Sequence, residues 1–264
     1  MSLIYPGLIR LIIHSPLDGR LNMAIDETLL ESVSLHNSPP VIRLYGFKPP
    51  TLSVGRFQTA QADIDFSALK RDAVTFVRRP SGGKAVLHKD ELTYAAVLGK
   101  DHLSSFGKRQ VYKFVVTILL EGLREIGLNH VHSAQGRQGV NRNPDCFAST
   151  GEYEIDTLTG KKLIGSAQAI SRTAVLQHGS LPLSEANREI AAYLKSFILS
   201  DDHSAHLSQE LGRRLTFEEI ETAFTAAISK LLKTEISELT DSENKQAYEL
   251  LEQKFSRDSW NLKY

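Results

Sequence analysis

The chain has 264 residues, enough for one large domain or for one domain with a small appendage. Hydrophobic residues make up 41% of it and charged residues 23%, which is typical of a globular protein. The 31 basic and 31 acidic residues balance, which argues against nonspecific binding to nucleic acid. No apolar run approaches the roughly 18 residues of a membrane helix, and the N-terminus lacks the features of a signal peptide. We therefore expect a cytoplasmic protein without a membrane partner.

The first half of the chain alternates between one helix and several short strands. Residues 21–34 keep helical spacing of apolar side chains and predict an amphipathic helix. Pro, Gly and Asp clusters then separate four runs rich in β-forming residues, 41–45, 51–54, 74–79 and 92–98. A second and clearer helical pattern covers residues 111–126.

A polar segment, 130–148, follows and has almost no periodicity, so we predict a long surface loop of the kind that is often functional. Alternation over 152–158 predicts a strand, and Thr159-Gly160 predicts a turn into a partner strand that starts at Lys162. Another strand is expected over 174–178.

From about Ser184 the pattern becomes mostly helical. Thr216 and Glu219 predict a capping box, and residues 243–255 predict a last helix. We therefore expect an α+β fold with a mainly antiparallel sheet in residues 1–183 and a mainly helical extension, residues 184–264, packed on it. Strands and helices do not alternate regularly, which argues against a doubly wound parallel sheet.

The segment RRPSGGKAVLH, residues 78–88, is the first candidate for a site. Its glycines let the main chain approach a ligand, and consecutive N–H groups can hold an anion, although Gly-Gly is more often a plain tight turn. Adjacent residues of a strand point to opposite faces, so Arg78 and Arg79 are not expected to face one pocket together.

The single cysteine, Cys146, excludes an internal disulfide framework and a multi-thiolate zinc site, and we expect no metal. A lone cysteine is most often a small buried residue, but Cys146 follows Asn143-Pro144-Asp145 in the polar segment, where a core position is improbable. A thiol in such a loop becomes a nucleophile when a nearby cation stabilises the thiolate. Lys162 is a candidate for that cation, whereas His178 by itself is more typical of a structural hydrogen-bonding group.

Taken in order, these segments resemble the biotin/lipoate protein ligase superfamily. RRPSGGKAVLH is similar to its RR-x-x-GG-x-x-V-x-H motif, and KLIGSAQ followed by LQHGSL is similar to its K-x-x-GSA-Q…HG-[ST]-L motif. The similarity extends to NMAIDETLL, to PVIRLYGFKPPTLSVGRFQ and to the terminal DSWNLKY. NPDCFASTGEYEI, HKDELTY and Lys84 in place of a third glycine resemble the octanoyltransferase branch, the LipM type in particular.

The resemblance implies a fold, an activity and a set of site residues. The fold is the class II synthetase-like sheet of that superfamily, and the activity is transfer of octanoyl from octanoyl-acyl carrier protein to a lysine of a lipoyl-domain protein such as glycine cleavage H protein. Cys146 would carry the acyl group with help from Lys162, without ATP or another cofactor. The implied substrate-binding residues are Arg78, Arg79, Ser81, Gly82, Gly83, His88, Gly165, Ser166, His178 and Gly179.

Three alternatives remain at this point: an ATP-dependent lipoate ligase, an octanoyl amidotransferase between lipoyl domains, and a non-catalytic lipoyl-domain-binding module. Because acyl carrier proteins are acidic and this chain is neutral overall, we also expect a local basic patch at the pocket mouth. The candidates for it are Arg71, Arg78, Arg79, Lys84 and Lys89.

Overall fold

The structure is a computed structural model that describes residues 7–103, 107–133, 155–195 and 204–264. Within these ranges it contains eleven strands and eight α-helices. The strands are β1 (Ile9–Ile13), β2 (Val41–Tyr45), β3 (Thr51–Val54), β4 (Thr75–Arg78), β5 (Val86–His88), β6 (Glu91–Gly99), β7 (Val131–Ser133), β8 (Ile155–Thr157), β9 (Lys162–Ile170), β10 (Ala174–Pro182) and β11 (Thr234–Ile236). The helices are α1 (Gly19–Ser34), α2 (Ala60–Asp63), α3 (Phe66–Arg71), α4 (Lys108–Glu125), α5 (Leu207–Leu211), α6 (Phe217–Leu231), α7 (Asp241–Leu250) and α8 (Asp258–Asn261).

Eight of the strands form one sheet in the order β11-β1-β2-β6-β10-β9-β8-β7. Its pairs are antiparallel except where β1 meets β2 and β11. A second sheet has the order β4-β3-β5. The prediction of a mainly antiparallel α+β fold is confirmed.

Helices cover both faces of the large sheet. Asp18 caps α1 by accepting from the N–H groups of Arg20 and Leu21, and the apolar stripe of α1 packs on β2, β6 and β10. The apolar stripe of α4 packs on the other face together with α6. Gly122 permits this close helix pair, because a Cβ there would lie 2.8 Å from the Phe224 ring.

The last 61 described residues, 204–264, share this core. Phe224 and Ile228 of α6 belong to the same apolar cluster as the large sheet, and β11 pairs with β1 at the sheet edge. Thr216 and Glu219 form the predicted capping box. The predicted last helix is shorter than expected, since α7 ends at Leu250 and a π-helical turn continues to Phe255. The boundary at residue 183 stays a prediction.

Two predicted segments are described only in part. The predicted loop 130–148 begins with β7, and its residues from 134 onwards, Cys146 included, lie outside the described residues. The predicted strand 152–158 is seen as β8, with residues 152–154 also outside. Among the described residues, no helix combines the length and apolar character needed to cross a lipid bilayer.

Candidate active site

A pocket lies where α1, the small sheet and the strands β9 and β10 meet. It holds about 380 Å³ of space free of protein atoms, counting the open solvent at its mouth. The lining residues are Met23, Tyr45, Ser53, Arg79, Val86, His88, Thr93, Gly165, Ser166, Ala167, His178, Gly179 and Ser180. Six of the ten predicted substrate-binding residues are among them.

The two adjacent arginines diverge, as their positions at the end of a strand predict. Arg79 lines the pocket, and its guanidinium donates to the carbonyls of Gly82 and Lys84 and to Ser53 Oγ. Arg78 is fully buried on the other side, where Nη1 donates to the carbonyls of residues 55, 56 and 58 and Nε to those of 260 and 261. Arg78 is therefore not among the residues that line this pocket, and its substrate-binding role stays a prediction.

The turn at Ser81, Gly82 and Gly83 lies beside the pocket. Gly83 has a φ of +93°, a conformation that favours glycine, and a Cβ at this position would lie 3.9 Å from the Cβ of Ala167. Arg79 binds carbonyl oxygens on both sides of Gly83. Because the guanidinium fixes these carbonyls, it also sets the orientation of the N–H groups of the turn.

Ser81 begins a buried chain of hydrogen bonds that runs through His178 to Asp26 of α1. Ser81 Oγ lies 2.5 Å from His178 Nε2, and His178 Nδ1 lies 2.9 Å from Asp26 Oδ2. Asp26 also accepts from Arg43 and from the Tyr45 hydroxyl, each at 2.8 Å. The chain therefore ties the turn to the far side of the pocket.

Asp26 is ionised in this environment. Burial alone would raise the pKa of its carboxyl, but the bond from His178, the charge of Arg43 and the bond from Tyr45 outweigh burial and lower it. The same surroundings act in the opposite sense on Tyr45, whose pKa is raised by burial and by the adjacent carboxylate. Arg43 Nε donates to His14 Nδ1, and burial holds the pKa of His14 at about 4, so that ring stays a neutral acceptor near pH 7.

A second chain crosses the opposite wall from Arg79 to Glu91. Arg79 can only donate, so Ser53 Oγ accepts from it at 3.0 Å and donates to His88 Nε2 at 2.8 Å. His88 Nδ1 then carries the hydrogen that it donates to Glu91 at 2.6 Å. The carboxylate of Glu91 is completed by bonds from the hydroxyls of Thr93 and Ser180. Both ring nitrogens of His88 are thus engaged, as are those of His178.

Glycine at position 179 has a cross-strand explanation. Tyr94, Gly179 and Ser166 are register partners on β6, β10 and β9, and the Tyr94 hydroxyl lies 2.7 Å from Ser166 Oγ. A Cβ on Gly179 would lie 2.6 Å from the Tyr94 ring and 2.5 Å from the Gly165 carbonyl oxygen. In the HG pair of the sequence motif, His178 therefore contributes its imidazole to the pocket wall, and Gly179 leaves space for the Tyr94 ring.

Lys162 begins β9 and is buried, with 1% of its surface exposed. Lys162 is the strand-register partner of Asp156 on β8, and its backbone carbonyl accepts a hydrogen bond from the N–H of Ala205. The pocket wall reaches β9 at Gly165, three residues further along the strand. Because Cys146 lies outside the described residues, the pairing of Cys146 with Lys162 stays a prediction.

The two hydrogen-bond chains end at Asp26 and Glu91, and neither carboxylate was predicted from the sequence as part of the site. Several residues that bond to them were also missed. Asp26 shares a helical stripe with Asn22, Ile25 and Leu29, so a carboxylate on the buried face of α1 was a usable signal. The other missed residues with polar side chains include Tyr45, Ser53, Glu91, Thr93 and Ser180, and the missed apolar ones are Met23, Val86 and Ala167.

The expected basic patch is wrong in its main members. Arg78 and Arg79 are 0% and 4% exposed and donate to backbone carbonyls, so they cannot form a surface patch. Arg71 is bonded to Asp72 at 2.9 Å and Lys89 to Glu189 at 2.6 Å, which neutralises much of their charge. The two arginines are needed inside the fold to hold the turn and the C-terminal segment.

A family model places the chain among proteins with the same architecture. The lipoyl protein ligase A/B catalytic domain matches residues 18–229, most of the chain. The chain belongs to this family. Curated relatives named octanoyltransferase LipM extend the match: the protein of Kyrpidia tusciae is 35% identical over 92% of this chain and 94% of its own length.

Two further comparisons agree with this membership. The octanoyltransferase LipM of Moorella thermoacetica is 37% identical over 92% of this chain and 93% of its own length. Among solved structures, lipoate-protein ligase A bound with ATP superposes with a TM-score of 0.81 at 22% identity and covers 97% of this chain and 99% of that one. At that identity the structural match establishes the fold alone.

Proposed function

We propose that the chain is an octanoyltransferase of protein lipoylation that holds the octanoyl group as a thioester on Cys146. Similarity at 35% and 37% identity, over nine-tenths of the chain, to proteins named octanoyltransferase LipM is the observation that carries the activity. The thioester rests on Cys146 being the only cysteine of the chain, in the NPDCFA segment.

The pocket is suited to an alkyl chain in spite of its polar residues. His88 and His178 have both ring nitrogens bonded to protein atoms, and the hydroxyls of Ser53, Tyr45 and Thr93 donate within the two chains. A polar group that is already paired makes little demand on a ligand and presents mainly ring faces and methylene groups. Such a wall accepts an apolar acyl chain without leaving buried polar atoms unpaired.

The reaction has two steps, acylation of Cys146 and transfer of the octanoyl group to an amine. The Cys146 thiolate attacks the carbonyl carbon of octanoyl-acyl carrier protein, a new C–S bond forms, and the carrier thiolate leaves and takes up a proton. The ε-amine of an acceptor lysine then attacks the enzyme thioester, loses a proton and forms an amide as the Cys146 thiolate is released. Neither step consumes ATP, and Lys162 would stabilise the thiolate or move the proton.

The acceptor is a lysine on a lipoyl domain, and we propose the glycine cleavage H protein as the first one. The turn at Gly82 and Gly83 would bind the oxyanion through its N–H groups, which the guanidinium of Arg79 orients. We place the reaction in the cytoplasm.

The proposal is tested by octanoyl transfer to a purified lipoyl-domain protein, with and without ATP. We expect octanoyl-acyl carrier protein to suffice as donor without ATP and Cys146→Ser to abolish transfer. Transfer from free octanoate that requires ATP and survives Cys146→Ser would instead identify a ligase. Tight binding of the lipoyl domain without transfer from any thioester donor would identify a binding module.

A further inference from the structure

The pocket has an open side and a closed side. Gly83 is exposed, and a Cβ on it would lie 3.9 Å from the Cβ of Ala167, which lines the pocket and is partly exposed. The mouth therefore lies between the Gly83 turn and β9. Met23 and Tyr45 also line the pocket, but they are only 2% and 0% exposed and lie on α1 and β2. The pocket thus runs inward from β9 to β2.

One row of register partners gives the direction and the length of the pocket floor. Gly165 of β9 pairs with Ser180 of β10, which pairs with Thr93 of β6. Thr93 in turn pairs with Tyr45 of β2, and all four residues line the pocket. Because neighbouring strands lie roughly 4.8 Å apart, the row spans about 14 Å. This span is comparable with the length of an extended octanoyl thioester, so the methyl end of the acyl chain would lie at β2.

The closed end is bounded by fixed polar side chains and by one flexible apolar side chain. The hydroxyls of Tyr45 and Thr93 donate to buried carboxylates, which fixes both side chains. Met23 is held instead by van der Waals contacts in an apolar cluster with Ala24, Val77 and Phe255. Methionine is unbranched and adapts its shape to the available space. A substitution at Met23 can therefore lengthen or shorten the pocket without removing a strong hydrogen-bonding group.

We propose that Met23 sets the length of the acyl chain that the enzyme accepts. This inference rests on the proposed function and names the residue that limits its substrate. A shorter side chain at this position opens space bordered by the apolar groups of its cluster, and a longer acyl chain fills that space and buries more apolar surface. A bulkier ring at this position occupies the space of the terminal carbons and favours a shorter acyl chain.

The test compares Met23→Ala and Met23→Phe with the wild type in the full chain. The donors are small neutral thioesters of increasing length, hexanoyl-, octanoyl- and decanoyl-pantetheine, and acyl-enzyme formation is followed by intact mass in single turnovers. Leu30→Ala is the matched control. Leu30 is buried seven positions further along α1, belongs to another apolar cluster and is not among the described residues that line the pocket.

We expect the wild type to form the acyl-enzyme most efficiently from octanoyl-pantetheine. Met23→Ala should raise the efficiency with the decanoyl donor relative to the octanoyl donor by roughly ten-fold or more, because one methylene group in an apolar pocket typically changes discrimination by about 10- to 200-fold. Met23→Phe should shift the preference in the opposite direction, towards the hexanoyl donor. Leu30→Ala should lower the Tm, as Met23→Ala does, because both leave a cavity, but it should keep the preference for octanoyl.

Thermal unfolding with free fatty acids gives a second readout, which does not depend on catalysis. A ligand that binds the folded chain raises its Tm. Among hexanoate, octanoate and decanoate at equal concentration, we expect octanoate to raise the Tm of the wild type and of Leu30→Ala most. Decanoate should raise the Tm of Met23→Ala most, and hexanoate that of Met23→Phe.

The same order of donors in the wild type and in Met23→Ala, or an equal loss with every donor, overturns the role of Met23. A shift towards longer chains in Leu30→Ala also overturns it, because the preference would then follow the packing of α1 in general. If Met23→Phe does not fold, Met23→Ala and Leu30→Ala still decide. A wild type that forms no acyl-enzyme with any donor overturns the proposed function, and the fatty acids then decide the role of Met23, which an unchanged order or the lack of any rise in Tm overturns.

Discussion

Buried charged side chains hold residues of the pocket wall in place. Asp26 and Arg43 both have fully buried side chains, and they form the charged base of the Ser81–His178 chain. Removing one member of a buried ion pair leaves the other charged and desolvated, which usually costs about 3–5 kcal/mol. We therefore expect Asp26→Ala to lower the free energy of unfolding by roughly this amount in urea titrations.

Glu27→Ala supplies the matched control, one position along the same helix. Glu27 pairs with Lys254, and both side chains are about one quarter exposed, so the loss should stay within about 1 kcal/mol. Because the pKa of Asp26 is lowered in the fold, its contribution is present above its ordinary value of 3.8 and is lost as the pH falls below it. Equal losses in the two variants at neutral pH would contradict a buried charge pair beneath the pocket.

Lys162 allows a second prediction for a single residue, about the rate of acyl-enzyme formation. If Lys162 takes part in proton transfer at Cys146, Lys162→Ala should slow acyl-enzyme formation by about 10²- to 10⁴-fold, the usual contribution of proton-transfer catalysis. Single-turnover mass measurements with octanoyl-pantetheine would detect the change, and circular dichroism would verify that the variant is folded. Full acylation activity in Lys162→Ala would leave this lysine with a structural role only.

Among the elements, the C-terminal segment holds β4 in place. Asn261 Oδ1 accepts from the N–H of Arg78 and its Nδ2 donates to the Phe255 carbonyl, while the indole of Trp260 donates to the Arg78 carbonyl. Asn261→Ala leaves the buried N–H of Arg78 unpaired, so we expect a loss of about 1–3 kcal/mol in unfolding free energy.

The same substitution should also raise the KM for octanoyl thioesters, because Arg79 follows Arg78 directly and holds the Gly82 turn. Lys263→Ala, on an exposed neighbour of Asn261, is the control and should leave both quantities unchanged. An Asn261→Ala enzyme with wild-type stability would show that the C-terminal segment does not support β4.

Two strands with strong local signals were predicted to the residue. β2 and β3 start directly after Pro-Pro pairs and match their predicted bounds, 41–45 and 51–54. β1 was missed because its sequence, IRLII, places an arginine inside a buried strand, and that arginine is paired with Glu243, 233 positions away. β11 was missed because its three residues form a strand only by pairing with β1.

The site residues were also predictable only where the signal is local in the sequence. Arg79, His88, Gly165, Ser166, His178 and Gly179 were found because they belong to contiguous motifs. Asp26 and Ser53 were not found, because each acquires its role from a partner far along the chain: Asp26 meets His178, 152 positions away, through the packing of α1 on β10, and Ser53 meets His88, 35 positions away, through strand register. Register depends on the packed sheet, which local periodicity does not contain.

For the whole molecule, the shared core predicts a single cooperative unit in place of two independent domains. The only tryptophan, Trp260, reports on the C-terminal segment, whereas far-ultraviolet circular dichroism reports on all helices and strands. We expect the two signals to give coincident urea transitions. Separate midpoints, or a stable fragment of residues 1–183, would show that the C-terminal part folds apart from the sheet.

The most direct test of the account is the intact mass of the enzyme after incubation with octanoyl-acyl carrier protein, without ATP. We expect one octanoyl adduct, located on the Cys146 peptide, removed by hydroxylamine and absent from Cys146→Ser. Adding a lipoyl-domain protein should discharge the adduct and modify one lysine of the acceptor. An unmodified enzyme that still transfers octanoyl, or an adduct that persists in Cys146→Ser, would contradict a thioester on Cys146.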